Sequence, residues 1–413
     1  MLGTDVFVPL GASVAASYGM PNLPLVTVPH PIGGLEPKLV RAKAERIVDQ
    51  VFMALTTDPM APAAVRGPAD EAVTAPDDLD AFQVWAMTEG WGDGLPVLPP
   101  TAERVARILG GAAADTLVAE LQPRRGFATL RAIAINAALA GAGPEHLPVI
   151  VAAIRALADP AFNLKAVQTT THPCTPLVIV NGPIARRLGV SGGANALGNG
   201  HRANAVIGRS VRLVCQNIGG AIPGQTDRAT QGHPGKFTYC LAENEAESPW
   251  EPLHVERGFA REDSCVTVCG SEGPHNVNDH GSINAEGLVR AISGTLATTG
   301  SNNMYSGGEP LMLIGPEHAA TIAGSGWSKA DLKRAVWERA KVRLDRWGPE
   351  TRARFVPIDP ERFRDKPLDH EVHVSHRPED LMVVVAGGPG KHSAVIPTFG
   401  HTKSVTVRVS ESG

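Results

Sequence analysis

The chain has little net charge, few aromatic residues and few cysteines, and each shortage excludes a class of protein. The formal net charge is −4 and no run of lysine and arginine forms a basic patch, so we expect neither nucleic acid nor a membrane as a partner. Aromatic residues make up 5% of the chain, which is too little for a surface that stacks on bases. Five cysteines in 413 residues are too sparse for a disulfide scaffold, so we expect reduced thiols and a cytoplasmic location.

Long apolar runs are also missing. No stretch approaches roughly 18 uninterrupted apolar residues, so no transmembrane helix is predicted. Residues 1–19 have no basic segment of the kind that opens a signal peptide. The chain is instead rich in glycine (44) and proline (34), which stand in short motifs, and 43% of its residues are hydrophobic. This composition predicts a loop-rich globular α/β protein with a large core.

The pattern along the chain predicts three parts. Residues 1–57 combine an apolar strand at 24–29, a glycine turn and an amphipathic helix at 38–55, which predicts a small open α/β fragment. Residues 58–78 are rich in proline, alanine and aspartate without apolar periodicity, which is typical of a linker. Residues 79–413 predict a larger α/β, catalytic-like domain with two lobes, at about 79–270 and 271–413.

The two lobes share short stretches of sequence. Pro176–Pro183 is echoed by Pro310–Pro316, and Gly232–Lys236 is echoed by Gly387–Lys391. These echoes favour an ancient internal duplication, although strand–Gly-Pro–helix turns also recur by chance in α/β proteins. With a duplication, the polar segment between the halves would lie in a cleft that favours ligands.

The segment from Asn195 to His280 concentrates asparagine, histidine and glutamate between glycines and prolines. Loops of this composition often bind or transform small molecules, so we predict a small polar or anionic substrate. The residues expected to bind that substrate are Asn195, Arg202, His233, Lys236, Glu245 and Asn276.

Three histidines of this segment, His254, His275 and His280, are predicted acid–base groups or metal ligands. A divalent transition metal such as zinc, iron or copper is the possible cofactor, although no strong zinc signature occurs. The alternative is that these histidines only form hydrogen bonds within their loops.

Residues 170–174 lead into a continuous apolar run at 177–180, which predicts a strand buried on both faces. They place the thiol of Cys174 two residues after the imidazole of His172. His172 could activate Cys174 as a nucleophile, the two side chains could bind zinc, or Cys174 could be a buried and inert thiol. The sequence leaves these three interpretations open.

Several strings resemble the UGSC family of bacterial proteins and selenoproteins, which is named after a Sec-Gly-Ser-Cys motif. They are Leu23–Pro31, Glu89–Pro96, Thr171–Cys174, Trp250–Arg257 and Gly273–His280. The first resembles the small domain of the family, and the others resemble the longer domain that accompanies it. The family motif precedes the segment that matches residues 4–57, yet no cysteine occurs here before Cys174. The resemblance therefore implies that the motif is absent, supplied by a separate subunit, or encoded upstream of Met1.

The resemblance implies a cytoplasmic oxidoreductase with thiol- or selenol-linked chemistry, most simply a reductase or a reductive cleavage. Within this chain we expect Cys174 to be a nucleophile or a ligand, with His172 as its base. A metal-dependent hydrolase or lyase that uses the same histidines is the first alternative. A non-catalytic, ligand-binding subunit of a selenoenzyme complex is the second. Expected partners are the small-molecule substrate, a small Cys- or Sec-containing subunit, and further copies of the chain.

Overall fold

The computed structural model describes residues 1–56 and 72–410. The chain begins with a small α/β unit, which consists of β1 (Leu2–Thr4), α1 (Val8–Ser17), β2 (Val26–Val28), α2 (Pro37–Glu45) and α3 (Val48–Thr56). β1 and β2 form a parallel two-stranded sheet. The helix predicted at 38–55 is divided in two, and Ile47 at the break packs on Val26 and Val28 of β2. The predicted small open α/β fragment is therefore present.

The predicted linker at 58–78 lies largely outside the described residues, and residues 72–78 form neither helix nor strand. The helices that follow begin at polar caps, such as Asp78 and Thr129, whose side chains accept backbone hydrogen bonds. The next elements are α4 (Leu79–Thr88), α5 (Ala102–Leu109), β3 (Leu117–Leu121), β4 (Gly126–Thr129), α6 (Leu130–Leu139), α7 (Leu147–Ala158) and α8 (Leu164–Thr169).

Two four-stranded mixed sheets form the centre of the molecule. The first part of this region contains β5 (Thr175–Asn181), α9 (Pro183–Leu188), α10 (Arg202–Asn217), β6 (Cys240–Ala242), α11 (Leu253–Glu256) and β7 (Cys265–Ser271). The second part contains β8 (His275–Asn278), α12 (Ala285–Leu296), α13 (Asn302–Ser306), β9 (Leu311–Ile314), α14 (Pro316–Gly324), α15 (Lys329–Arg339), β10 (Lys341–Arg343), α16 (Pro349–Phe355), α17 (Pro360–Phe363), β11 (Glu371–His373), β12 (Met382–Val385), β13 (His392–Ile396) and β14 (Val405–Arg408). The strand order is β14-β7-β5-β6 in the first sheet and β12-β9-β13-β8 in the second.

The two sheets pack face to face, and helices cover their outer faces. Ile179 of the first sheet shares an apolar cluster with Leu313 and Val384 of the second. The outer face of the first sheet, with Val178, packs on α6, α7 and α10. The outer face of the second sheet, with Met312, packs on α12, α14 and α15. This four-layer arrangement explains why every residue of β5 is buried, as the continuous apolar run predicts.

The topology supports the predicted internal duplication. β5 and β9 each have one parallel neighbour, β6 or β12, and one antiparallel neighbour, β7 or β13. A Gly-Pro turn, a shorter helix and a longer helix follow each central strand. The first half then continues to β6, whereas the second half inserts β10, α16, α17 and β11 before β12. The second echo is not equivalent in the structure, because Gly232–Lys236 precedes β6 whereas Gly387–Lys391 follows β12.

The two halves exchange their last strands. β8 follows β7 along the chain but pairs with β13 of the second sheet. β14 follows β13 but pairs with β7 of the first sheet, where Val407 lies beside Val266. The predicted second lobe at 271–413 therefore contributes a strand to the sheet of the first lobe. Local periodicity identifies a strand but not its partner, so the sequence did not indicate this exchange.

Within the described ranges, no single helix is long and apolar enough to cross a membrane. The segments 144–158 and 160–169 pass that test only as a pair, bent by 70°. The first of them contains α7, whose apolar side chains are buried in the core.

Candidate functional site

The predicted site residues fall in separate regions of the molecule. Four of them gather where β5 begins, and two lie where β5 ends. The remaining residues lie before or at the start of α10, on β8 or just after β8. The four residues at the start of β5 are His172, Cys174, His233 and Lys236, and the two at its end are Glu245 and His254. The remaining ones are Asn195, Arg202, His275, Asn276 and His280.

The first region, which we call the His172 site, is built around a histidine–carboxylate pair. Thr175 at the start of β5 lies beside Ser271 at the end of β7, so His172 and Glu272 meet although they are 100 residues apart. His172 Nε2 donates a hydrogen bond of 2.6 Å to Glu272 Oε1. An ionised carboxylate only accepts hydrogen bonds, so a hydrogen lies on Nε2, and in the neutral ring the lone pair is on Nδ1. Nδ1 is buried and has no hydrogen-bond partner among the described residues.

Two cations share one carboxylate, and their charges act on His233, as the charge of Glu272 does. Lys236 Nζ is 2.5 Å from Asp227 Oδ2, and Arg212 Nη2 is 3.9 Å from the same oxygen. Arg212 Nε also donates to the backbone oxygen of Lys236 at 3.1 Å. Burial lowers the pKa of Lys236, and the charge of Asp227 opposes that shift. The carboxylates of Asp227 and Glu272 balance the formal charges of Lys236 and Arg212, and the two cations are the groups that could bind a small anion.

His233 closes the other side of the His172 site. Its ring packs edge-on against Tyr239 with 5.5 Å between the ring centroids, and Tyr239 Oη donates to the backbone oxygen of Glu272 at 3.2 Å. His233 Nδ1 accepts a hydrogen bond of 3.2 Å from the backbone of Gly235. Burial lowers the pKa of His233, so its ring is neutral near pH 7 and carries its hydrogen on Nε2. It can therefore serve as a hydrogen-bond donor.

Cys174 lies in the same region, but its thiol is buried. Its side chain is 1% exposed and its Sγ lies 3.9 Å from the backbone oxygen of Val167. Burial raises the pKa of Cys174 to about 12, so the thiolate, which is the reactive form, is almost absent near pH 7. His172 Nδ1 has no hydrogen-bond partner among the described residues, so His172 is not hydrogen-bonded to this thiol. Of the three interpretations left open by the sequence, the buried and inert thiol fits these surroundings.

The other four cysteines have similar environments. They are free, buried and shifted towards the thiol form because burial raises the pKa of each of them; they are Cys215, Cys240, Cys265 and Cys269. No activated thiol is therefore present among the five cysteines, all of which the structure describes.

A second group, which we call the Glu243 cluster, lies where β5 and β6 end and comprises Asn181, Glu243, Glu245 and His254. Asn181 Nδ2 donates to Glu243 Oε2 at 2.7 Å and to Glu245 Oε1 at 3.1 Å. His254 is fully buried, with its Nδ1 3.9 Å from Glu245 Oε1. Burial raises the pKa of Glu243, and the charge of Lys329 opposes this shift. The predicted residues Glu245 and His254 are therefore adjacent, but they belong to a different end of the sheet from His172.

The predicted metal set is not brought together. His254 is buried at the end of β5, His275 is exposed at the start of β8, and His280 lies after the other end of β8. In the part of the chain that the structure describes, no group of three His, Cys, Asp or Glu side chains is placed to hold a metal ion. The strand exchange accounts for this correction, because it carries β8 and its histidines to the second sheet.

Three predicted substrate residues have their contacts elsewhere. Asn195 Nδ2 donates to the backbone oxygen of Asn199 at 2.7 Å and so holds a local turn. Arg202 lines a cavity of about 530 Å³ together with His146 and Arg187, and its Nη2 donates to Gly141 at 2.9 Å. Asn276 is exposed on β8 and contacts His392.

Sequence reasoning missed Glu272, Asp227 and Arg212 of the His172 site. Glu272 and Asp227 follow the pattern of neither a helix nor a strand, and their partners are distant or lie on another loop. The only signal was the high density of polar residues between 195 and 280, which includes all three.

Comparison with known proteins gives information for one end of the chain only. No curated protein and no solved structure matches it. Beyond residue 57 the chain has no family match, so the likeness of the later strings to the longer UGSC-associated domain remains a resemblance. Residues 1–57, which include the small α/β unit, match the UGSC family.

Proposed function

We propose that this protein is an enzyme that removes a proton from, or returns one to, a small anionic substrate at the His172 site. The observation that carries this proposal is the 2.6 Å hydrogen bond from His172 Nε2 to Glu272 Oε1. A carboxylate that orients an imidazole and stabilises its protonated form is a recurring arrangement in general acid–base catalysts. It leaves Nδ1 of His172 as the basic atom.

Two cations support an anionic substrate. Lys236 and Arg212 can donate charged hydrogen bonds to such a molecule, while Asp227 and Glu272 balance their formal charges. A substrate carboxylate or phosphate would replace part of their hydration and would be held within reach of the imidazole. His233, as a neutral donor, would bind a second polar group of the same molecule.

The proposed step needs no covalent intermediate. Nδ1 of His172 accepts the substrate proton, and the resulting imidazolium is stabilised by the charge of Glu272. The proton then returns from Nδ1 to the product. Glu272 stays ionised throughout, as the acid partner of a catalytic histidine does in known triads.

The proposal also includes thiol- or selenol-linked redox chemistry. Because the five cysteines of this chain are buried, another protein would have to supply the reactive sulfur or selenium atom. We propose a small cytoplasmic Cys- or Sec-containing subunit as its source. The small α/β unit offers a surface for such a partner, because Phe52 and Leu55 of α3 are 67% and 80% exposed. A Phe52→Asp, Leu55→Asp double variant would then lose a co-purifying Cys- or Sec-containing protein that the wild type retains.

Proton exchange in heavy water tests the acid–base proposal and does not require the substrate to be identified first. The full chain is incubated in D2O with a panel of small mono- and dicarboxylates, and deuterium incorporation is followed by proton NMR. We expect exchange with at least one compound, and a loss of about 100-fold or more in His172→Gln, since general base catalysis contributes about 10²–10⁴-fold. Cys174→Ser and the exposed-histidine control His275→Gln should retain the wild-type rate.

Two outcomes would contradict the proposal. One is the absence of exchange with every member of the panel, and the other is an unchanged rate in a His172→Gln variant whose circular dichroism matches the wild type. A Cys174→Ser variant that loses the reaction would instead assign the chemistry to the thiol.

A further inference from the structure

A second pair of imidazoles lies at the edge of the second sheet, far along the chain from the His172 site. His392 opens β13, and its backbone pairs with Asn278 at the end of β8. His280 follows Asn278 by two residues, which brings its ring to His392. The two Nε2 atoms are 3.3 Å apart, and the ring centroids are 5.0 Å apart with an interplanar angle of 82°.

The spacing of these nitrogens matches that of two ligands of one metal ion. Zinc binds histidine nitrogens at about 2.0–2.1 Å in tetrahedral geometry, and two such ligands are therefore about 3.3 Å apart. The Nε2 atoms of His280 and His392 have this separation without any rearrangement.

Asn276 fixes the ring state that metal binding requires. Its Oδ1 lies 3.0 Å from Nδ1 of His392, and an amide oxygen can only accept, so Nδ1 of His392 carries the hydrogen. The lone pair of His392 is therefore on Nε2, the atom that faces His280. A hydrogen bond from the second ring nitrogen to an oxygen is the usual support of a metal-binding histidine.

The site is open to solvent and has room for further ligands. Both imidazoles are exposed, so an ion can reach them directly. The nearby carboxylate of Asp279 accepts from Ser282 and Gly281, which leaves the pair as the two protein ligands. Lys391 Nζ lies 3.5 Å from the backbone oxygen of His280 and favours an anion as an additional ligand.

We infer that Nε2 of His280 and Nε2 of His392 bind one divalent transition metal ion of the zinc, copper or nickel class, with water or an anionic ligand in the remaining positions. This site differs from the predicted metal set, since only His280 is common to both. It is also independent of the His172 site, with which it shares no residue. Imidazole is a favoured ligand of these metals, and two protein ligands suffice for an exchangeable, open site.

Metal titration of the full chain tests this inference. Isothermal titration with Zn²⁺, and electron paramagnetic resonance with Cu²⁺, should show one ion per chain with nitrogen ligands. His280→Ala and His392→Ala should each weaken binding at least tenfold, and Asn276→Ala should weaken it by about 10–100-fold, as loss of a supporting hydrogen bond does. The matched control His275→Ala, an exposed histidine on the same strand, should bind as the wild type does.

The alternative role of the pair is a hydrogen bond between two neutral rings. Zinc and copper binding that is unchanged in the His280→Ala, His392→Ala double variant would overturn the metal assignment, and so would wild-type protein that binds neither ion. All these positions are exposed, so the variants should fold, which circular dichroism would verify.

Discussion

Glu243 is a buried carboxyl group between two strand ends, and its environment favours the protonated form. It accepts hydrogen bonds on Oε2 from Asn181 and from the backbone of Leu253, whereas Oε1 has no partner among the described residues. Burial is the main cause of its raised pKa. The folded state therefore retains a proton that the unfolded chain releases above about pH 4.5.

The sign of the resulting pH dependence follows from this raised pKa. The stabilising contribution of neutral Glu243 is complete below about pH 4.5 and is lost as the pH rises through the folded-state pKa. Glu243→Gln keeps the neutral shape at every pH. We expect the free energy of unfolding of this variant, relative to the wild type, to increase by up to about 1.4 kcal/mol per pH unit from about pH 4.5 to the folded-state pKa and to level off above it, as measured by urea denaturation between pH 4.5 and 8.

The control for this prediction is Glu338→Gln, which removes an exposed carboxylate from α15. The same pH trend in Glu338→Gln, or no trend in Glu243→Gln, would show that Glu243 is not the responsible group.

Single residues also show what the sequence could predict of the site. His172, His233 and Lys236 could be singled out from the sequence because they stand in loops rich in glycine, proline and polar residues. The partner of a site histidine depends instead on strand register. Glu272 is 100 residues from its partner His172, and His392 is 112 residues from its partner His280. The sequence thus identifies loop side chains that could take part in catalysis or binding. It does not identify the side chain with which each one pairs, because that depends on how the strands are arranged in the sheet.

Among the secondary-structure elements, the turns after β5 and β9 share one steric requirement: each needs a residue without a Cβ atom. A Cβ atom on Gly182 would lie 2.1 Å from the backbone oxygen of Asp263, just before β7. A Cβ atom on Gly315 would lie 2.2 Å from the backbone oxygen of His392, at the start of β13. In both halves the antiparallel neighbour passes directly over the glycine. This explains why the two sequence echoes share a Gly-Pro step.

We expect Gly315→Ala to destabilise the protein by about 1–3 kcal/mol, the usual cost of overpacking. Gly315 has an ordinary φ of −64°, so the cost would come from the backbone contact alone. Gly294→Ala is the matched control, because Gly294 is exposed in α12 and an added Cβ would contact nothing within 4 Å. Guanidinium denaturation of both variants should show that Gly294→Ala increases the free energy of unfolding by about 0.5–1 kcal/mol. Equal effects of the two substitutions would argue against the close approach.

Elements with strong local patterns were predicted well, and their pairing was not. The buried strand expected at 177–180 is the centre of β5. The amphipathic helix at 38–55 was wrong in one respect, because Ile47 leaves the helical path to pack on β2. Helical periodicity does not reveal such a break when the residue at the break is itself apolar.

At the scale of the whole molecule, the exchange of β8 and β14 ties the two halves together. β14 completes the first sheet through β7, while Ser404 immediately before it donates its backbone N–H to Glu309 Oε2 at 2.7 Å, next to β9. The two sheets also share an apolar cluster that includes Ile179 and Leu313. Neither half is closed without a segment of the other, so we expect them to unfold as one unit.

Truncation after Thr402 tests this coupling. It removes β14, leaves β7 as an open sheet edge, and breaks the contact between Ser404 and Glu309. Hydrogen exchange read by mass spectrometry should then speed up in β9 as well as in β5, although β9 has no hydrogen bond to β14. Wild-type protection that persists in β9 while β5 loses its protection would mean that the halves are independent.

The same strand exchange has a consequence for synthesis on the ribosome. β5, β6 and β7 leave the exit tunnel well before β14, so the nascent first sheet lacks its outer strand until the elements from β8 to β13 have been translated. During that interval the apolar edge of β7 has no partner. Chains released early would expose this edge permanently, and chaperones or proteases that act on nascent proteins would encounter it first.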